Sequence, residues 1–162
     1  MKKTLTQFFV LFTTLVLFVG CKKDNDDTSS TMVGKWFQVK EVQSLSVNNG
    51  AKENLTMTNF NKTNYMNFKQ DGTVEVYVEK GISLHISGDS YWLEESEDFD
   101  SETSDYKYKV SDGYLRLTQG SHAVKAKLIN FSERSFTIQV ENSYKDSGKT
   151  FDSVTEAEYQ KF

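Results

Sequence analysis

The chain has 162 residues, 26% of them charged and 37% hydrophobic, with one cysteine and no proline. The length suits a single domain. A formal net charge of −4 argues against nucleic acid or an anionic lipid surface as a partner, and a lone cysteine excludes a disulfide within the chain.

The chain opens on Lys2 and Lys3, followed by an uncharged run of 16 residues from Leu5 to Gly20. A bilayer-crossing helix needs about 20 apolar residues, so this run is short for a permanent span. A basic start, a short apolar stretch and a small residue before the cut describe a secretory signal peptide over residues 1–20. The run ends Leu17-Phe18-Val19-Gly20-Cys21. That ending resembles the bacterial lipoprotein signal. The resemblance implies that the Cys21 thiol is acylated and that cleavage makes Cys21 the first residue of the mature chain. An uncleaved anchor, with Lys22 and Lys23 as its stop signal, is the competing reading. Cleavage would remove Lys2 and Lys3 and no acid, so the net charge of −4 would become −6.

Residues 21–32 are expected to be the acylated cysteine and a flexible linker. From Lys22 to Thr31 no large apolar side chain occurs, so the segment cannot offset its ordering entropy. Its Lys22-Lys23-Asp24-x-Asp26-Asp27 order resembles the signal that follows the cysteine in surface lipoproteins of the Bacteroidetes type. This implies an outer-membrane, lipid-anchored protein displayed at the cell surface, or one facing the periplasm.

Residues 33–162 read as strands. Val74 and Val76, then Tyr106, Tyr108 and Val110, then Leu115 and Leu117, then Phe136, Ile138 and Val140, alternate with polar residues. Period two with one apolar face means antiparallel strands over a core. Strands are expected at 34–47, 63–70, 73–79, 82–93, 105–111, 113–119, 122–131, 134–144 and 152–160, with one helical turn within 52–62. Asp71-Gly72 and Asp112-Gly113 are expected to make two-residue hairpin turns. Sequential hairpins of this number predict an all-β fold, an eight- or nine-stranded antiparallel up-and-down barrel that leaves no exposed edge. An outer-membrane barrel is set aside, because Gln160, Glu158 and Glu156 put a polar face where lipid contact would be needed.

Gly34-Lys35-Trp36 at the first strand resembles the Gly-x-Trp entry of lipocalins. The segments Asn67 to Thr73, Tyr108 to Leu115 and Tyr159-x-Lys161 are similar to those of lipocalin-like domains in bacterial lipoproteins. The resemblance implies a lipocalin-like barrel that carries an apolar ligand. In lipocalins an arginine near the last strand packs over the entry tryptophan; the final strand here offers Lys161.

Catalytic chemistry is not signalled. His85 and His122 stand 37 residues apart, and neither belongs to a ligand-spaced pair. Asp98, Asp100 and Glu102 alternate like the opening of a calcium loop, but its turning glycine is missing. Asp152-Ser153-Val154 resembles an O-glycosylation site of exported bacterial proteins. No cofactor, no metal and no enzymatic activity are expected. The inward set Trp36, Phe68, Val76, Tyr106, Tyr108, Leu117, Phe136 and Ile138 is the candidate lining for a small apolar or amphipathic ligand. The same aromatics could instead fill the interior, leaving a structural subunit that docks on a protein partner.

Overall fold

The computed structural model describes residues 31–87, 90–97 and 103–162. Gly20, Cys21 and the Asp98-x-Asp100-x-Glu102 stretch lie outside the described residues. The chain is all-β. In order come β1 (Gly34–Val47), β2 (Glu53–Met57), β3 (Tyr65–Phe68), β4 (Thr73–Tyr77), β5 (Gly81–Ser87) and β6 (Ser90–Ser96). Then follow β7 (Ser104–Ser111), β8 (Tyr114–Gln119), β9 (His122–Phe131), β10 (Ser135–Asp146) and β11 (Lys149–Gln160).

The sheet order runs β1, β3, β4, β7, β8, β9, β10, β11, and β11 pairs back onto β1, so eight antiparallel strands close a barrel. Alternation builds it. Along β7, Tyr106, Tyr108 and Val110 turn inward while Lys107 and Lys109 stay exposed. The β7–β8 hairpin turns on Asp112-Gly113 with φ of 55° and 76°, the paired left-handed conformation such a turn demands.

Several elements differ from the sequence expectation. Asp71-Gly72 is not a two-residue turn: only Gly72 has positive φ, and Gly72 N donates to Lys69 O while Lys69 N donates to Thr73 O. The reversal is a four-residue turn that ends on glycine. Residues within 52–62 supply a strand instead of a helical turn, β2, which pairs Glu53–Met57 with Leu45–Glu41 of β1. β1 is long enough for two neighbours on one side, β3 along Gly34–Phe37 and β2 along Glu41–Leu45. The expected strand 82–93 is a hairpin, with β5 and β6 paired from Gly81–Ser96 to Ser87–Ser90. It is not a barrel strand and does not pair with residues 105–111; β4 takes that place.

Two cores result. The barrel core holds Met32, Trp36, Met66, Phe68, Val74, Leu115, Leu117, Phe136 and Ile138. Met32, assigned to the linker on sequence, is fully buried there. The second core holds Leu45, Val47, Met57, Phe60, Ile82, Leu93 and Phe151, where the β5–β6 hairpin packs on β1 and β2. A bulge in β1 between Gln38 and Lys40 links them. It shifts the inward positions from even (Trp36, Gln38) to odd (Leu45, Val47).

Candidate ligand site

All eight residues of the predicted inward set meet in the barrel core. Trp36, Phe68, Leu117, Phe136 and Ile138 are buried within it, and Val76, Tyr106 and Tyr108 pack against it partly exposed. They divide by depth. Trp36 and Phe136 meet edge to face at 5.0 Å, Phe68 and Tyr108 at 4.9 Å, and Phe136 stacks on Tyr159 at 4.9 Å. These rings plug the end of the barrel where β1 begins. Edge-to-face and offset pairs add about 0.5–1.5 kcal/mol each beyond area burial, so the plug is a structural asset.

The floor of that end is built from both ends of the described chain. Trp36 Nε1 donates to Met32 O at 2.6 Å. Lys161 Nζ donates to Val33 O at 2.7 Å and lies 4.4 Å from the Trp36 ring centre, within cation–π range. Lys161 thus covers the entry tryptophan. Gly34 leaves room for it: with φ of +123°, a Cβ there would come within 2.9 Å of Lys161 Cε.

A polar layer separates the two cores. Asn64 is 1% exposed and Gln38 4%. Asn64 Nδ2 donates to Gln38 Oε1 and to Lys80 O at 2.8 and 2.6 Å, and its Oδ1 accepts from Glu79 N and Lys80 N. Every hydrogen-bonding valence of that amide is filled. Gln38 Nε2 donates to Glu41 Oε2 at 2.9 Å, and the backbone of Ile82 also donates to the Glu41 carboxylate. Asn64 and Glu41 therefore clamp the root of the β5–β6 hairpin. Burial pushes the Glu41 carboxyl above its ordinary range. Burial, with Glu41 nearby, likewise raises the Tyr159 phenol and keeps it protonated. Two positions beyond Glu41 on the same face, Gln43 Oε1 is buried with no hydrogen-bond partner among the described residues. The apolar wall at this end of the barrel carries Val76, Tyr106, Leu128 and Val140, all partly exposed, and Val124, 44% exposed.

Sequence reading missed Gln38, Glu41, Gln43 and Asn64. Polar residues in an alternating strand default to the solvent face, and the bulge that turns Glu41 and Gln43 inward has no residue signature. Other candidates do not converge. His85 stacks on Trp92 at 5.4 Å with Glu94 3.5 Å from its Nε2, on the exposed face of the hairpin, while His122 sits exposed at the start of β9. Ser153 is 9% exposed within β11, paired with Leu45 on one side and Asn142 on the other. Among the described residues no group of three or more His, Cys, Asp and Glu could hold a metal ion. No family model, no curated protein and no solved structure matches this chain.

Proposed function

We propose that the protein is a membrane-anchored binding module whose barrel takes a small amphipathic molecule at the end away from the aromatic plug. The apolar body of the ligand lies against Val76, Tyr106, Leu128 and Val140, and a hydroxyl or amine donor reaches Gln43 Oε1 and Glu41. The observation that carries this reading is the Gln43 Oε1 acceptor, buried without a donor among the described residues and two positions along β1 from the half-buried Glu41 carboxylate. A buried unsatisfied acceptor costs about 1–3 kcal/mol. Such a group calls for an explanation, and a ligand donor supplies one.

Native mass spectrometry of the protein isolated from its own cells tests it. A co-purifying small molecule is expected, and Gln43→Leu is expected to release it while melting at the same temperature or higher, since the orphan acceptor is gone. A ligand-free wild type would favour the second reading, a filled barrel that docks on a protein partner. The mutual contact of Trp36, Phe68 and Phe136 supports that alternative.

A further inference from the structure

β10 is paired with β11 along its whole length, from Ser135–Gln160 to Asp146–Lys149. On its other side it meets β9 only from Phe136 to Gln139, with a bulge between Thr137 and Ile138. Beyond Gln139 the two strands part, and among the described residues no strand lies against β10 from Val140 to Asp146. Residues Glu141 to Asp146 are exposed. An uncovered edge of this length is a template for another strand.

The phase of that edge is fixed by the hairpin. Ser147-Gly148 is a two-residue turn with φ of 48° and 80°, so Asp146 and Lys149 form a hydrogen-bonded pair. Hydrogen bonding alternates along an antiparallel pair. Even-numbered residues of β10 therefore point their backbone groups to β11. Glu141, Ser143 and Lys145 point theirs outward.

We propose that this edge pairs with the same edge of a second copy of the chain, antiparallel about a two-fold axis through Ser143. In that register the outward N–H and C=O groups of all three residues meet their counterparts. Glu141 faces the second copy's Lys145, twice by symmetry, and Asn142 faces the second copy's Tyr144. Opposite charges directly across antiparallel strands attract and like charges repel. The order Glu-x-Ser-x-Lys is self-complementary only when the strand runs against itself about its centre. The contact is isologous, so it closes at two copies.

The full chain carrying Cys21→Ser, in detergent, provides a background without other thiols. Ser143→Cys should form a disulfide-linked dimer on mild oxidation, because Cα atoms of a hydrogen-bonded pair lie about 5.5 Å apart. Asn142→Cys, equally exposed, lies on a diagonal of roughly 7–8 Å from its own copy and should not. In sedimentation, Lys145→Glu should weaken the dimer by about tenfold, since two favourable pairs become two repulsive ones. Adding Glu141→Lys should restore it, with the melting temperature of the monomer, read at concentrations below the dimer's dissociation constant, unchanged throughout. A chain that stays monomeric at all concentrations, equal crosslinking at 142 and 143, or no restoration by the double exchange overturns the proposal.

Discussion

The Glu41 carboxyl sits where two cores meet, hydrogen-bonded but with no cation beside it among the described residues. Desolvation dominates its shift and raises it above the ordinary 4.5. A raised carboxyl stabilises the fold fully below its unfolded value, and that contribution is lost as pH rises through the folded one. The expected outcome is a melting-temperature difference between Glu41→Gln and the wild type that shifts in favour of the variant as pH goes from 4.5 to 7. Calorimetry at several pH values measures it. A difference independent of pH would mean that Glu41 titrates as an exposed carboxyl does.

At the level of elements, the turns carry the topology and each has its own chemistry. Gly72 and Gly113 have φ of 81° and 76°, and a Cβ at either would meet nothing within 4 Å. The cost of a side chain there is therefore backbone strain alone. Gly72→Val and Gly113→Val should each lower stability by about 1–2 kcal/mol, read as a shift in urea midpoint at constant slope. Alternation made the barrel strands legible, because Tyr106, Tyr108 and Val110 can share a face only in an extended chain. It also made the aromatic set legible, since inward parity follows from the pattern. The β5–β6 hairpin was hidden inside a single expected strand, 82–93. β2 was hidden because Glu-Asn-Leu-Thr-Met is short and mostly polar, and it gains strand geometry by pairing with the far half of β1. The polar layer was illegible for a further reason. It depends on a one-residue bulge in β1, and a change of one in register flips every later side chain to the other face.

For the molecule as a whole, the placement of Met32 fixes an orientation. The described chain begins beneath the aromatic plug, with Met32 buried and its carbonyl held by Trp36. Any tether from Cys21 attaches at the closed end, so the other end of the barrel and the β5–β6 hairpin face away from the anchor. The 10 residues from Lys22 to Thr31 reach at most about 35 Å when fully extended. A barrel with net negative charge has no attraction to an anionic bilayer of its own, so the proposed membrane anchoring would rest on acyl chains at Cys21. One chain holds marginally and two or more hold stably. Cys21→Ser is therefore expected to leave a full-length precursor that takes up no labelled palmitate, whereas the wild type is labelled and runs at the cleaved size. The barrel of the variant should still melt as the wild type does, because both cores are built from residues between Met32 and Tyr159. Equal palmitate labelling of wild type and variant would refute the anchor, and would leave the apolar run before Gly20 as the segment that holds the protein in place.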